Sequence, residues 1–515
     1  MSEAVEEPPR TRLASSAALT AAAQIASMLI GGLLAVGITL KFGANAQTDG
    51  VFAAYGVYGI VLLIAQSVRT TVVARLVEGE STFAQLDRFL AAGVLVSLAC
   101  GIPFALLGGP VASLLTGGLG PEARDTAETA LLVLWPGAAA QVAAALFAAT
   151  LGTRGEFGLP GLAYVLGGVA SIVVLLVLAG PLGVDAVAVG VTVGSVLVAA
   201  LLLVRLLRVG YRPSPGRLLD ARAAGVAAWQ TTVGALGFVV AQISYVVSVA
   251  FAARLGEGAV TLYSYAFFAT SLVVGATTGP VGIVLAAPLA RTWDRRPATL
   301  EPYLLDVLRA ALVLVVPAIG LAGLIGVPLV DLVLGRSLGP DDPATLVATF
   351  LALGGLLLSS CAAPVPTLAA FAAGRYLTLR GIAGLALGLH AAISYAALQA
   401  DSLPVLGAAT SASTLLSLLL LLLVVYGPRG TVATLWLIAR EALRVVAVGT
   451  VAFLPVALGA WALGAAGWHV LGAVLGVVAF ALLVRAALPE HRALVARLAE
   501  PLTQRLRTSR NMPQA

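Results

Sequence analysis

The chain has 515 residues, of which 60% are hydrophobic and only 10% charged, and its mean hydropathy is +1.02. A soluble protein of this length needs about 25% charged residues to cover its surface, so the composition excludes a soluble globular enzyme and indicates a chain solvated by lipid. The formal net charge of +6 does not indicate a nucleic-acid partner, because the basic residues lie in alternate connections between apolar segments.

Long apolar runs fill almost the whole sequence. A helix needs about 20 apolar residues to cross a bilayer, and backbone groups inside lipid must be hydrogen-bonded within the protein. The alternating ten-residue pattern of a membrane β-barrel is absent. The runs predict an all-α polytopic membrane protein with fourteen spans, at 15–40, 50–76, 89–110, 126–152, 158–180, 184–207, 223–253, 259–290, 303–330, 344–373, 377–398, 404–426, 437–463 and 466–486.

The connections predict the orientation. Every second connection carries arginines, whereas the opposite set holds only Lys41, Arg124, Arg254 and Arg336 and is rich in acids. Positively charged loops stay on the cytoplasmic side. We therefore expect a multi-pass protein of the plasma (inner) membrane with both termini in the cytoplasm and an even number of spans.

Two polar turns resemble each other. LKFGANAQTDG (Leu40 to Gly50) and ARLGEGAVTLY (Ala253 to Tyr263) each join two long apolar segments, and six predicted helices separate them. An even number of intervening helices gives both turns the same orientation, which predicts a parallel repeat of two six-helix halves. A chance likeness between glycine-containing turns is the alternative.

This repeat predicts five regions. The longest basic connection contains Pro213, Pro215 and Gly216, as an inter-lobe linker would. The tail alternates arginine and leucine, and either lies on the inner leaflet or is solvated. The regions are an N-terminal lobe (1–208, helices 1–6), a cytoplasmic linker (209–222), a C-terminal lobe (223–430, helices 7–12), helices 13 and 14 (431–487) and a basic cytoplasmic tail (488–515).

Three stretches resemble the MurJ/MviN family of lipid II flippases, within the superfamily of multidrug and oligosaccharidyl-lipid exporters. They are FGANAQTDGVFAAY in the first outer turn, TLGTRGEFGLPGLAYVL (Thr150 to Leu166) and AQISYVVSVAFAARLGEGAVTLYSYA (Ala241 to Ala266). The resemblance implies two six-helix lobes around a solvated cavity, alternating access, and a groove at helices 13 and 14 for a polyprenyl tail. It also implies a role in peptidoglycan synthesis, and so in cell-wall biogenesis and cell shape.

The sequence departs from this family at the residues that are thought to meet the pyrophosphate. The resemblance implies arginines in the first, second and eighth helices. The corresponding positions hold Met28, Leu34, Leu62, Leu63 and Phe268. This places both lipid II as the substrate and transport itself in question.

Polar residues inside the predicted spans are candidates for a cavity that admits a polar head group. Arg69 lies about 30 Å along a helix from Asp49, near the inner interface, where it either binds phosphates or extends to the lipid head groups. The other candidates either line the cavity or hydrogen-bond between helices. They are Gln24, Gln66, Gln230, Gln242, Tyr245 and Tyr265.

Three features outside this set carry open alternatives. Asp49 precedes an apolar run, so it either caps the second helix or serves in gating or ion coupling. Lys41 either forms an ion pair with Asp49 or anchors the chain at the membrane interface. His390 has no acidic partner nearby in sequence, which favours a packed histidine over a proton relay. Pro364 and Pro366 predict a kink in the tenth helix.

The resemblance therefore implies a flippase that moves lipid II or a related undecaprenyl-pyrophosphate saccharide to the outer leaflet. No phosphate-binding glycine loop, zinc-ligand spacing or nucleophile elbow occurs, so we expect neither an enzyme nor a cofactor, and an ion gradient or the membrane potential would supply the energy. The expected partners are the lipid-linked substrate, membrane lipids and other cell-wall synthesis proteins. The alternatives are a non-transporting scaffold of the same fold and a multidrug-type antiporter.

Replacing Arg69 with alanine tests whether this cation serves transport. If its guanidinium meets the phosphates of an entering head group, Arg69→Ala impairs flipping while the expression level stays the same. Translocation assayed beside membrane expression separates the two. Unchanged flipping activity would support the alternative, in which Arg69 extends to the lipid head groups at the interface.

Overall fold

A computed structural model describes residues 26–27, 29–78, 82–154, 156, 158–218, 220, 222, 224–225, 240, 242–292, 300–372, 376–463 and 466–491. These residues are almost entirely helical, and none of them forms a strand. The predicted all-α polytopic class is confirmed.

The first helices correspond to the predicted N-terminal spans. The helices are α1 (Leu29–Phe42), α2 (Ala46–Glu78), α3 (Thr82–Thr116), α4 (Pro121–Thr153), α5 (Gly158–Leu182), α6 (Ala186–Arg208) and the single turn α7 (Pro215–Leu218).

The later helices follow the remaining predicted spans with two changes of boundary. They are α8 (Gln242–Ala252), α9 (Ala259–Thr292), α10 (Glu301–Leu334), α11 (Asp342–Ala352), α12 (Gly354–Ala362), α13 (Pro364–Ala372), α14 (Tyr376–Ala397), α15 (Leu403–Leu463) and α16 (Ala466–Ala487). Seven helical stretches within the described residues are long and apolar enough to cross a membrane, and two of them, Gly158–Arg208 and Leu403–Ala460, each cover two predicted spans.

The two changes of boundary lie at glycine and proline. The predicted span 344–373 divides into α11, α12 and α13, and α13 begins at Pro364, which confirms the predicted break. The spans 404–426 and 437–463 join into α15, whose backbone departs from the helix at Gly427, with φ +70°. Glycine tolerates this conformation, and Pro428 starts the next helical segment.

The chain forms two compact units. The first comprises Met1–Phe268, Leu334–Asp342 and Ala383–Thr410, and the second comprises Ala269–Val333, Pro343–Ile382 and Ser411–Ala515. These units are defined by packing and do not test the predicted lobes, linker and tail, which stay a prediction.

Small residues allow the helices of the first unit to approach closely. α2 packs against α4, α4 against α3 and α6, and α5 against α6. A Cβ atom at Gly167 of α5 would lie 2.8 Å from the carbonyl oxygen of Gly194 in α6. Close backbone approach of this kind is typical of helix pairs in membranes.

Large apolar side chains face outward in both units. Leu106 and Leu114 in the first unit, and Leu332 and Val432 in the second, are each at least 70% exposed. Such exposure would be costly in water and is neutral in lipid, so it agrees with the predicted membrane environment.

Candidate outer gate and the polar network beneath it

The first outer turn is ordered by reciprocal hydrogen bonds. The side-chain carbonyl of Asn45 accepts from the amide of Thr48 at 3.0 Å, and the Thr48 hydroxyl accepts from the Asn45 amide at 2.9 Å. This pattern satisfies two of the amides that the start of α2 would leave unpaired. It fixes the first turn of α2, on which the next residue, Asp49, is fully buried.

Asp49 receives three hydrogen bonds from the second outer turn. The amides of Gly258 and Thr261 donate at 2.7 and 2.8 Å, and the Thr261 hydroxyl donates at 2.6 Å. These donors belong to the start of α9, where helix amides lack partners and the helix dipole favours negative charge. The Asp49 carboxylate therefore caps the N-terminus of α9, which begins more than two hundred residues later in the sequence.

The cap is reciprocal. Glu257, in the second turn, accepts a hydrogen bond from the Ala46 amide at 3.0 Å and so caps the start of α2. The hydroxyls of Thr48 and Thr261 meet at 3.1 Å between the two caps. The two stretches that resemble each other in sequence thus bind each other directly, and we refer to this contact as the outer clasp.

The clasp corrects the interpretation of Asp49 as a cap of its own helix. Its carboxylate accepts from the amides of α9 and not from those of α2, whose acceptors come from the Asn45–Thr48 pair and Glu257. Lys41 is exposed, and the described ion pairs include none between it and Asp49. Sequence reasoning missed Glu257 as a cap, because a position just before α9 signals a cap of α9 and not of the distant α2.

Below the clasp, three predicted cavity residues form hydrogen bonds between helices. Tyr265 donates to the Ala35 carbonyl at 3.1 Å and accepts from Thr39. The Tyr245 hydroxyl lies 2.7 Å from that of Ser264, and Gln242 donates to the Gly56 carbonyl at 3.1 Å. In this structure these side chains have protein partners and hold α1, α2, α8 and α9 together.

The position where the family resemblance implies an arginine in the eighth helix belongs to an aromatic cluster. The ring of Phe268 lies 5.7 Å from that of Tyr55, 5.8 Å from Tyr245 and 6.1 Å from Phe52. Contacts at these distances stabilise aromatic pairs. The cluster carries no charge, so phosphate binding by a cation at this position is excluded.

His390 belongs to a separate buried network. Its Nε2 atom lies 2.8 Å from the Ser244 carbonyl, which can only accept, so Nε2 carries the proton. The same nitrogen lies 3.0 Å from the Ser248 hydroxyl, which in turn meets Thr410 at 3.1 Å. These contacts join α8, α14 and α15 and agree with the favoured interpretation of a packed histidine.

The remaining predicted site residues are not described in full. Gln24 and Gln230 lie outside the described residues, and so does Met28. Arg69 and Gln66 lie on α2, whose backbone is described there but whose side chains are not. Among the described residues, no group of three or more His, Cys, Asp or Glu side chains could hold a metal ion.

Comparisons with known proteins point to one family. The family model described as lipid II flippase MurJ matches residues 77–479. A structure of lipid II flippase MurJ in an inward closed conformation is similar over 94% of this chain and 99% of its own, with a TM-score of 0.73 and 16% identity. No curated protein matches the chain.

Multidrug transporters share the fold more distantly. An inward-facing MATE family transporter of the MOP superfamily aligns over 80% of this chain and 94% of its own, with a TM-score of 0.61 and 16% identity. A point mutant of the Vibrio cholerae MATE transporter VcmN aligns over 84% and 98%, with a TM-score of 0.52 and 16% identity. At these identities the likeness shows the fold alone.

Replacing Asp49 with alanine tests the clasp. The change leaves the buried amides of Gly258 and Thr261 without their acceptor, and one such loss costs about 1–3 kcal/mol. We expect a lower midpoint of thermal unfolding in detergent than for the wild type. Asp331→Ala, which removes an exposed acid, is the control and should change stability by less than about 0.5 kcal/mol. Equal midpoints of thermal unfolding for the two variants would show that the hydrogen bonds of Asp49 do not stabilise the protein.

Proposed function

Because the chain belongs to the MurJ lipid II flippase family, we propose that it moves a lipid-linked cell-wall precursor from the inner to the outer leaflet by alternating access. The outer clasp is the observation that carries this proposal. It joins two equivalent turns through side chains that can exchange protein donors for water when the turns separate, so it suits a gate that opens and closes.

The outer clasp is a small contact in which the buried acid has well-defined hydrogen-bond donors. Asp49 is fully buried and accepts three hydrogen bonds, whereas Glu257 is exposed. A buried carboxylate with all its donors in place is stable, but one that loses them must be hydrated at once. This favours two discrete arrangements, closed and open, over a gradual loosening.

The substrate class follows from the family and from the cations that this chain retains. With Leu34, Leu62, Leu63 and Phe268 at the positions implied for arginines, Arg69 is the cation that lies deepest in the predicted second span and would meet a pyrophosphate. Gln242 and the tyrosines would offer neutral donors to a saccharide. We propose an undecaprenyl-pyrophosphate saccharide as the substrate and an ion gradient or the membrane potential as the energy source, with both termini in the cytoplasm.

The aromatic cluster favours a second candidate. Phe268 packs against Tyr55 and Tyr245 at the position where the resemblance implies a cation for the head group. A protein of this fold that no longer transports could act as a scaffold for cell-wall synthesis enzymes. A multidrug antiporter is less well supported, because it needs a cation-binding acid and the carboxylate of Asp49 already accepts three hydrogen bonds.

Translocation in proteoliposomes decides between the flippase and the scaffold. Purified protein is reconstituted with a fluorescent undecaprenyl-pyrophosphate saccharide, and the fraction that a membrane-impermeant quencher reaches is followed with time. We expect the protected fraction to fall faster than in protein-free vesicles. Depletion in cells should, for the same reason, accumulate precursor on the inner leaflet.

Each alternative predicts a different result in these two assays. A scaffold gives no acceleration in vesicles, even if its depletion disturbs the cell wall. A multidrug antiporter moves a small organic cation in the same vesicles and leaves the lipid-linked saccharide protected. Either result would overturn the proposed function.

A further inference from the structure

The second unit contains a cluster of charges around a single buried acid. Glu441 of α15 is 1% exposed, and Arg309 of α10 donates to both of its carboxylate oxygens, at 3.2 and 3.4 Å. Arg309 itself is only 14% exposed. This buried pair occupies about half of the roughly four acceptor sites of the Glu441 carboxylate and compensates its burial.

Two further arginines lie within ion-pair distance of Glu441. Arg440 and Arg444 lie 3.6 and 3.5 Å from one oxygen of Glu441, at ion-pair distance, and their side chains are 44% and 45% exposed. A guanidinium has five N–H donors. Glu441 therefore orients both arginines, and each half-exposed guanidinium keeps N–H donors that this one oxygen does not accept.

The segment after α16 completes the cluster. His491 is fully buried, and neither of its ring nitrogens has a hydrogen-bond partner. Burial lowers the pKa of His491, and the positive charge of Arg309 acts in the same direction, so the imidazole is neutral at pH 7. Glu490 also acts on His491, and among the described residues the ion pairs of Glu441 set three arginines against that one carboxylate.

The exposed face of α15 matches the layout of a phospholipid. Residues three, four and seven apart share a helix face. Trp436, at 66% exposure, precedes the two arginines on this face, and Val451 and Leu458, at 63% and 58%, follow them. Along this face a tryptophan is followed by two arginines and then by apolar side chains. This order matches the interfacial region, the phosphate and the acyl chain of a phospholipid in the membrane.

We propose that Arg440 and Arg444, held by Glu441, bind the phosphate of an anionic phospholipid whose acyl chain lies along the exposed apolar face of α15. By the predicted orientation this lipid belongs to the inner leaflet. Charge complementarity favours an anionic lipid, because the cluster is positive and a zwitterionic head group would bring its own cation close to the two arginines. The proposal concerns a resident phospholipid; displacement of bound phosphatidylglycerol by the lipid-linked saccharide would overturn it and assign this face to the polyprenyl tail that the resemblance implies at helices 13 and 14.

The test uses the full-length protein in detergent with added lipid. Phosphatidylglycerol and phosphatidylcholine of the same acyl composition are titrated, and the midpoint of thermal unfolding and the lipids retained in native mass spectra are measured. We expect phosphatidylglycerol to raise the wild-type midpoint more than phosphatidylcholine. In the variant R440Q/R444Q its apparent affinity should fall roughly 30-fold.

Two controls separate a site from general surface charge. R208Q/R212Q removes two exposed arginines from the same predicted side of the membrane and should keep the preference for phosphatidylglycerol. R440K/R444K keeps the charge and should restore part of the affinity. If R440Q/R444Q does not fold, the single variants replace it, each with a roughly fivefold loss. Equal stabilisation of the wild type by both lipids, or an equal loss in R208Q/R212Q, would overturn the proposal.

Discussion

The exchange of helix caps between two distant turns is the constraint on which the first unit depends. The starts of α2 and α9 both leave backbone amides unpaired, and each receives an acid from the other turn: Asp49 for α9 and Glu257 for α2. Neither helix start is satisfied unless both are in place. The tyrosines and Gln242 below then bond across the same helices, so the clasp sets the register of the network beneath it.

This arrangement links the fold to the proposed activity. A flippase must seal its outer end while the head group enters from the inside, and it must break that seal without unfolding. Hydrogen bonds from amides and a hydroxyl to one carboxylate fit this requirement, because water can replace each donor as the turns part. Below the seal, a neutral aromatic cluster stands where the family resemblance implies a cation, so recognition of the phosphates would rest on other residues, such as Arg69.

The sequence predicted the class of the fold well, because lipid imposes strong demands on composition and segment length. It also placed the break at Pro364 and singled out the two turns that meet in the outer clasp. It failed on what those turns do to each other, since an acid before an apolar run looks the same whether it caps its own helix or another. The interhelical partners of Tyr245 and Tyr265 were equally hidden, because cavity lining and packing use the same residue types.

Cross-linking the two turns tests the account most directly. The hydroxyl oxygens of Thr48 and Thr261 lie 3.1 Å apart, so cysteines at these positions are within reach of a disulfide. In a chain with Cys100 and Cys361 replaced by alanine, T48C/T261C should lose translocation of the lipid-linked saccharide on oxidation and regain it on reduction, while oxidation leaves the activity of either single variant unchanged. Undiminished translocation by the fully cross-linked protein would contradict the account, because the turns would then never need to part.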